Sequence, residues 1–222
     1  MKIMSYNIHH CTQEKVDRIL KQEADIYLLP ELCNPDQLRI PDGFVARWTG
    51  DIDFKGLGVI WRSSLRCRVP IWFNPEHRYF IPLIAEGKLV IAAWPTRRPS
   101  NAPKGYPQIA LEGLREYSKH FESFPTLISG DFNLYKGQQD ETVEYSLESV
   151  TAFLKSYGMT SIYHFKTGEG MGNESRATYY HRFQREDPFF LDYTFTNMPV
   201  KEYWLFGWEP QLSDHVAQLI EI

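Results

Sequence analysis

The sequence predicts an α/β protein built as a four-layer sandwich, in which two packed mixed β-sheets carry helices on their outer faces. Apolar runs of strand length recur along the whole chain, separated by glycine and proline. Three segments with helical spacing of apolar residues lie among them, in both halves of the chain. Two halves that each mix strands with helices favour two sheets packed face to face, with the helices outside.

The chain opens with a predicted β-α-β unit. Residues 3–8 and 26–29 form apolar runs of strand length, and Thr12 precedes a segment with helical periodicity. Parallel strands joined by a helical crossover have their C-terminal ends side by side. We therefore expect Asn7 and Glu31 to lie at the same edge of adjacent parallel strands.

The remaining elements follow from the same patterns. Strands are predicted at residues 57–61, 66–72, 79–84 and 88–94, in an order that favours antiparallel pairing. Helices are predicted at residues 106–121 and 143–157. Further strands are predicted at residues 126–129, 178–183, 189–196, 203–206 and 216–220. Two of these strands contain or lead into a carboxylate, Asp131 and Asp192.

Size and composition fit one domain. A chain of 222 residues needs no second core in an α/β fold, and no low-complexity linker divides it. Hydrophobic residues make up 43% and aromatic residues 15%, which is ample for a buried core. We expect residues 1–222 to form a single domain. The net charge of −4 and a pI near 6.0 exclude a broad basic surface that holds nucleic acid by charge alone.

The expected compartment follows from what the sequence lacks. It carries no apolar run as long as a membrane span, and its first strand begins too early to leave room for a signal peptide. The three cysteines, Cys11, Cys33 and Cys67, have neither metal-ligand nor disulfide spacing. We expect free thiols and a cytoplasmic location, with no membrane association and no obligate protein partner.

Polar residues follow several predicted strands, where a rigid sheet can hold carboxylates around a metal ion. They are Asn7, Glu31, Asp131, Asn133, Asp192, Asp214 and His215. Asp131 and Asn133 occupy alternate positions, so their side chains point to the same side of an extended segment. Mg²⁺ and Mn²⁺ favour carboxylate oxygens, which favours Glu31 as the main ligand. Taken alone, these residues also fit a surface loop or a turn after Gly130.

The same residues lie in five short motifs: Ser5-Tyr6-Asn7, Pro30-Glu31, Gly130-Asp131-Phe132-Asn133, Leu191-Asp192-Tyr193 and Ser213-Asp214-His215. In this order the set resembles the endonuclease/exonuclease/phosphatase superfamily, which includes deoxyribonuclease I and the exonuclease III-type AP endonucleases. The motifs span nearly the whole chain. The resemblance implies a two-sheet sandwich with helices outside and metal-dependent hydrolysis of phosphate esters.

Together, the residue chemistry and the resemblance give each polar group an expected role. The catalytic candidates are Asn7, Asp131, Asn133, Asp192 and His215, and the expected metal ligands are Glu31, Asp214 and Asn7. Asp131 can orient or deprotonate the attacking water while Asn133 contacts the phosphate or the metal without adding charge. An Asp192–His215 pair, which the superfamily has at the matching positions, would favour the charged imidazole. That charge can stabilise a phosphoryl transition state.

One departure from the superfamily concerns the phosphate. Many relatives carry a Tyr or His on a middle strand that holds it, but residues 89–95 offer only Ala and Trp there. The candidates for this role are Tyr180, His181, Arg97, Arg98 and Trp94, and an aromatic strand or a solvated basic loop is the alternative reading. His9 and His10 are adjacent, and adjacent side chains of an extended segment face opposite ways. We expect them at the rim rather than as metal ligands.

The sequence therefore predicts a Mg²⁺- or Mn²⁺-dependent phosphodiesterase, with an endonuclease or exonuclease acting on DNA or RNA as the first reading. A phosphatase or phosphodiesterase acting on a small phosphoester is the second. An inactive binding module of the same fold is the third. The expected partner is nucleic acid or another phosphoester substrate.

Overall fold

The computed structural model describes residues 1–77, 79–98 and 101–222, and these contain twelve strands in two mixed sheets. The strands are β1 (Lys2–Ser5), β2 (Ile26–Leu32), β3 (Phe44–Ile52), β4 (Lys55–Arg62), β5 (Cys67–Arg68), β6 (Phe80–Ala85), β7 (Lys88–Ala93), β8 (Thr126–Asp131), β9 (Thr160–Ser161), β10 (Asp192–Thr196), β11 (Glu202–Leu205) and β12 (Gln218–Glu221). The first sheet has the order β11-β12-β1-β2-β4-β3 and the second the order β5-β6-β7-β8-β10-β9.

Four α-helices accompany the sheets in the described part of the chain: α1 (Gln13–Leu20), α2 (Tyr106–Ser118), α3 (Leu147–Ser156) and α4 (Ile162–Thr167). The Thr12 side chain accepts a hydrogen bond from the backbone N–H of Lys15 and so caps α1, as its sequence position predicts. Its Val16, Ile19 and Leu20 are buried, which follows the helical spacing of these apolar residues.

The strands alternate between two faces, and this alternation builds three apolar clusters. Ile3 and Leu28 of the first sheet pack with Val90 and Leu127 of the second, which forms the core between the sheets. The other face of the first sheet packs against α1, and the other face of the second sheet packs against α2 and α3. The predicted four-layer sandwich is confirmed.

The β-α-β opening is also confirmed. β1 and β2 pair in parallel, with Ile3 opposite Ile26 and Ser5 opposite Leu28. The predicted antiparallel pairing occurs between β5 and β6 and between β6 and β7. The C-terminal ends of β1 and β2 therefore lie side by side.

Two predicted strands are wrong in extent or kind. The strand predicted at residues 66–72 is reduced to β5, because the chain turns at Pro70, whose carbonyl accepts from Phe73 N–H. The segment predicted at residues 178–183 forms only isolated bridges at Tyr179. It then turns through Arg182 and Phe183, whose φ angles of 53° and 59° do not fit a strand.

Other elements have no counterpart in the sequence prediction. β3, β9 and α4 were not predicted. β3 is an edge strand that pairs with β4 in a hairpin, and its residues are mostly half-buried or exposed. A strand of this kind gives a weak apolar alternation, so its position depends on the neighbouring strand.

The prediction of free thiols is wrong for two of the three cysteines. Cys11 and Cys33 form a disulfide, while Cys67 is free. Cys11 follows β1 and Cys33 follows β2, and the parallel pairing of these strands brings the two segments together. The linear spacing of 22 residues did not reveal this contact. Among the described residues, no helix is long and apolar enough to cross a membrane.

Candidate active site

The polar residues singled out from the sequence converge where the ends of several strands meet. Asn7 follows β1, Glu31 lies near the end of β2, and Asp131 ends β8. Asp192 begins β10 directly opposite Asp131, because β8 and β10 pair antiparallel in that register. The site thus draws residues from both sheets.

A buried pair of ionisable groups occupies the centre of the site. His215 Nδ1 lies 2.8 Å from Asp192 Oδ2, and His215 Nε2 lies 3.8 Å from Asp131 Oδ2. Burial opposes the charged imidazole, but Asp192 and Asp131 outweigh it and raise the pKa of His215 to about 10. The His215–Asp192 pair is therefore ionic at neutral pH.

Asp131 has the opposite balance of forces. It is 2% exposed, and this burial raises its pKa to about 7; the charge of His215 lowers the pKa and that of Asp192 raises it. The Asn133 backbone N–H donates to Asp131 Oδ1 over 2.9 Å. A carboxylate with a pKa near neutrality can accept a proton at the pH of most cells.

Asn7 connects the two sheets at this point. Its Nδ2 donates to Asp131 Oδ2 over 2.9 Å and lies 3.5 Å from Glu31 Oε1. Its own backbone carbonyl accepts from the Ser213 hydroxyl over 2.7 Å, which fixes the segment before His215. Asn7 therefore touches the metal-ligand candidate Glu31 and the base candidate Asp131 with one amide group.

Glu31 sits at an irregularity of β2. The register with β4 shifts between Pro30 and Leu32, and Glu31 has a φ of 64° in the left-handed region. Bulges of this kind re-aim a side chain next to active sites. The Glu31 carboxylate accepts from Lys55 Nζ over 2.9 Å.

Asp214 faces the other side of the site. Its Oδ2 lies 3.2 Å from His9 Nδ1, and its Oδ1 lies 4.0 Å from His215 Nε2. Burial lowers the pKa of His9, and the charges of Asp214 and Glu31 oppose that shift. The prediction that His9 stays at the rim is therefore incomplete, because its side chain contacts a metal-ligand candidate.

The backbone around Asp131 explains the glycine before it. Gly130 has a φ of 155°, and a Cβ there would lie 1.8 Å from the Ala93 carbonyl oxygen. β7 and β8 pair in parallel with Ala93 opposite Gly130, so only glycine permits this approach. Asn133, with a φ of 53°, donates from Nδ2 to the Pro95 carbonyl over 3.1 Å and to Asp131 over 3.3 Å.

The donor set fits a hard divalent cation. Asp131, Asp192 and His215 each offer one ligand atom within 4.8 Å of the others. His215 and Asp192 already share a hydrogen bond, so their contact is better explained as an ion pair than as metal ligation. Glu31 and Asp214 supply carboxylate oxygens, which suit Mg²⁺ or Mn²⁺. Asn7 directs its amide nitrogen at Glu31 and Asp131, and its Oδ1 accepts from the His9 backbone N–H over 3.1 Å.

The predicted phosphate contacts are only partly brought to the site. Trp94 is 1% exposed and belongs to the core. Arg97 pairs with Asp140 over 2.5 Å, and Arg98 lies 5.2 Å over the Trp94 ring. The interpretation of Trp94 as a substrate contact is wrong, because an accessible face is needed for that role.

The segment around residue 180 also differs from the prediction. Tyr180 stacks on Trp208 with ring centroids 4.0 Å apart. Its neighbour Tyr179 packs against the His215 ring at 4.7 Å. His181 bonds through Nδ1 to the Tyr179 hydroxyl over 2.8 Å. Because the segment does not form the expected strand, Tyr179 rather than Tyr180 packs on His215.

Three residues next to the site were not assigned a role from the sequence: Tyr179, Lys55 and His9. Lys55 begins β4 opposite the end of β2, and that placement could be read only from the β2–β4 pairing. His9 follows Asn7 by two residues, so its nearness to the site was visible in the sequence. Its contact with Asp214 spans the chain and had no local signal.

Solved structures similar in fold share the described architecture. A 3′-phosphatase, NExo, from Neisseria bound to a product DNA hairpin superposes with a TM-score of 0.71 at 19% identity, covering 100% of this chain and 98% of that one. The two chains share the deoxyribonuclease I-like α/β sandwich fold. The endonuclease domain of TRAS1, a telomere-specific non-LTR retrotransposon, gives a TM-score of 0.68 at 12% identity, with coverage of 100% and 97%.

An AP endonuclease from Archaeoglobus fulgidus has the same fold, with a TM-score of 0.68, 13% identity and coverage of 99% and 98%. The sequence itself matches no family model and no curated protein. At these identities the likeness establishes the deoxyribonuclease I-like fold, and the resemblance read from the five motifs is confirmed at that level.

Proposed function

We propose that this protein is a divalent-metal-dependent phosphoester hydrolase that acts as a nuclease on DNA or RNA. The observation that carries the proposal is the buried chain of contacts Asn7–Asp131 and His215–Asp192, at 2.9 Å and 2.8 Å, joined by the 3.8 Å approach of His215 to Asp131. Buried carboxylates whose pKa values are perturbed by burial and by a specific charged partner mark catalytic candidates.

Asp131 is proposed as the group that orients and deprotonates the attacking water. Its pKa near 7 lets it hold a proton transiently at neutral pH. Asn7 and Asn133 each donate to its carboxylate and hold it in place. His215, charged beside Asp192, is proposed to oppose the negative charge that develops on the phosphate oxygens.

Glu31, Asp214 and the Asn7 amide are proposed to hold Mg²⁺ or Mn²⁺. The bound ion would supply Lewis-acid stabilisation of the phosphate oxygens. Glu31 is presented by the bulge of β2, and Asp214 approaches from the segment before β12. Lys55 contacts Glu31 and His9 contacts Asp214, so each of these side chains either competes with the ion for a carboxylate or holds that carboxylate in place.

A small phosphoester is the second candidate substrate. The observation in its favour is the net charge of −4, which gives no long-range attraction to a polyanion. We propose that residues 1–222 act as one catalytic domain. Cytoplasmic location stays a prediction from the sequence, and the Cys11–Cys33 disulfide argues against it.

A substrate panel tests the proposal. Purified protein is incubated with plasmid, single-stranded DNA, RNA, an abasic duplex and small phosphoesters, first with EDTA and then with Mg²⁺ or Mn²⁺. We expect turnover only with added metal, because the carboxylate donors suit a hard cation. Full activity after exhaustive chelation contradicts the metal dependence, and a protein inactive on the whole panel fits the third reading, an inactive binding module.

A further inference from the structure

Tyr179 is held directly on the imidazole at the centre of the site. Its ring centroid lies 4.7 Å from that of His215, with the planes tilted by 40°. Its backbone bridges to His215 on one side and to Phe189 on the other, and its N–H donates to the Phe189 carbonyl over 2.9 Å. The side chain is therefore fixed by two neighbouring segments rather than by an isolated loop.

The phenol of Tyr179 stays protonated close to the carboxylates of the site. Burial raises the pKa of Tyr179 to about 12, and the charges of Asp214, Asp131 and Glu31 add to that shift. A neutral phenol is a hydrogen-bond donor in a site otherwise rich in acceptors. The hydroxyl lies 2.8 Å from His181 Nδ1.

The middle strand itself supplies no neutral side chain that could hold a phosphate, although buried Nε and Nη2 atoms of Arg98, which follows it, have no hydrogen-bond partner among the described residues. Ala92 and Ala93 carry no polar atom, and Asn133 Nδ2 donates to the Pro95 carbonyl. A phosphate in this site still needs a neutral donor to a non-bridging oxygen, because that oxygen gains charge in the transition state. The Tyr179 hydroxyl is a donor of this kind, and its ring packs on His215.

We propose that Tyr179 is a catalytic residue that donates its phenolic hydrogen bond to a non-bridging phosphate oxygen, and that His181 positions it. This inference rests on the proposed phosphoester hydrolysis. When His181 carries its proton on Nδ1, it donates to the phenol oxygen and leaves the phenol hydrogen free for the phosphate. His181 therefore acts through Tyr179, and Tyr180 takes no part.

The test compares Tyr179→Phe, His181→Ala and the double variant with wild type. Tyr179→Phe removes one hydroxyl and keeps the ring on His215, so the fold is preserved. Tyr157→Phe is the matched control, because the Tyr157 ring packs on Phe121 and Phe153 at the end of α3. We measure kcat and KM on the best substrate of the panel, the Tm, and the affinity for inorganic phosphate in the presence of Mg²⁺.

We expect Tyr179→Phe to lower kcat by about a hundredfold, the scale for losing one such donor, with Tm unchanged. His181→Ala is expected to lower it less, and the double variant should match Tyr179→Phe alone, because the two residues act on the same bond. Additive losses in the double variant would contradict the positioning role of His181. A kcat for Tyr179→Phe within about twofold of wild type overturns the assignment of Tyr179, since losing such a donor costs far more.

Phosphate affinity separates this inference from the proposed activity. If wild type turns over no substrate but binds phosphate, and Tyr179→Phe weakens that binding by about tenfold, the worth of one hydrogen bond, the phosphate contact stands without the hydrolase. If wild type is active and Tyr179→Phe changes neither kcat nor phosphate affinity, the hydrolase stands and this inference falls. A wild type that neither turns over nor binds phosphate overturns both.

Discussion

The Asn7 side chain donates to Asp131 Oδ2 over 2.9 Å, across 124 positions of the chain and between the two sheets. β1, which leads to Asn7, belongs to the first sheet, and β8, which ends at Asp131, belongs to the second. The centre of the site is thus assembled only when the sheets pack. Both side chains are buried, so neither can be compensated by water when its partner is removed.

Replacing Asn7 should therefore damage both activity and stability. Asn7→Ala leaves the buried Oδ2 of Asp131 with only the longer contact from Asn133 Nδ2 at 3.3 Å, which we expect to cost about 1–3 kcal/mol in the free energy of unfolding. Turnover should fall by about a hundredfold, because Asp131 loses an orienting contact. Urea unfolding and steady-state kinetics measure the two effects. Asn173→Ala, in an exposed turn, is the control, and equal behaviour of the two variants would refute the role of Asn7.

Asp131→Asn is expected to lower turnover by at least about a hundredfold while stabilising the fold. The folded-state pKa of Asp131 is raised to about 7 from 3.8, so the stability that its proton provides is lost as the pH rises through that interval. The amide carries no charge, so the Tm advantage of the variant should grow between about pH 4 and pH 7 and then level off. A Tm difference that does not change with pH, measured in EDTA, would contradict the raised pKa.

Asp192→Asn tests the ionic pair with His215. The folded-state pKa of His215 is raised to about 10 from 6.5, so the pair stabilises the fold fully below the unfolded value and this stability is lost as the pH rises through about 10. The variant should therefore lose most stability below about pH 6.5 and approach wild type near pH 10. Thermal melts of the variant and wild type in EDTA, across this pH range, measure the difference. A loss of stability in the variant that grows as the pH rises would contradict the assignment of a charged His215.

Lys55→Met should tighten metal binding. Lys55 Nζ lies 2.9 Å from Glu31 Oε1 and competes with a cation for that oxygen. Removing the ammonium should lower the Kd for Mn²⁺ by about twofold to fivefold, as expected for one partly exposed ion pair. Calorimetric titration gives the constant, and Lys119→Met, on the exposed end of the α2 segment, is the control. Weaker binding in Lys55→Met would mean that Lys55 orients Glu31 toward the ion.

The disulfide should contribute to stability through the unfolded state. Cys11 and Cys33 close a loop with a sequence separation of 22 residues, for which chain entropy gives about 3 kcal/mol. The double variant Cys11→Ser with Cys33→Ser should lose about that much in urea unfolding, and wild type in reductant should lose the same. Cys67→Ser serves as the control, since Cys67 is free. A wild type that is insensitive to reductant would show that the two thiols are unlinked in solution.

The sequence predicted those parts of the site that depend on local patterns. Asn7 and Glu31 were placed together because a β-α-β crossover dictates which strand ends meet, and the parallel pairing of β1 and β2 confirmed it. Asp131 and Asp192 were both found, although their direct register across β8 and β10 was not. That register depends on pairing between residues far apart in the chain, and no short stretch of the sequence indicates it.

The parts that failed share a different physical cause. Tyr179 and Tyr180 are chemically alike, and only the backbone path decides which one faces His215. The left-handed turn at Arg182 and Phe183 broke the alternation on which the prediction relied.

The placement of the site between the sheets has a consequence for the local opening of the strands. A ligand that contacts both Asn7 and Asp131 couples the hydrogen exchange of the β1 amides to that of the β8 amides, although the two strands belong to different sheets. Such a ligand stabilises both strands against local opening. The hydrogen-exchange protection of both strands should therefore rise by a common factor. The edge strand β5 makes no such link and should exchange at its unliganded rate.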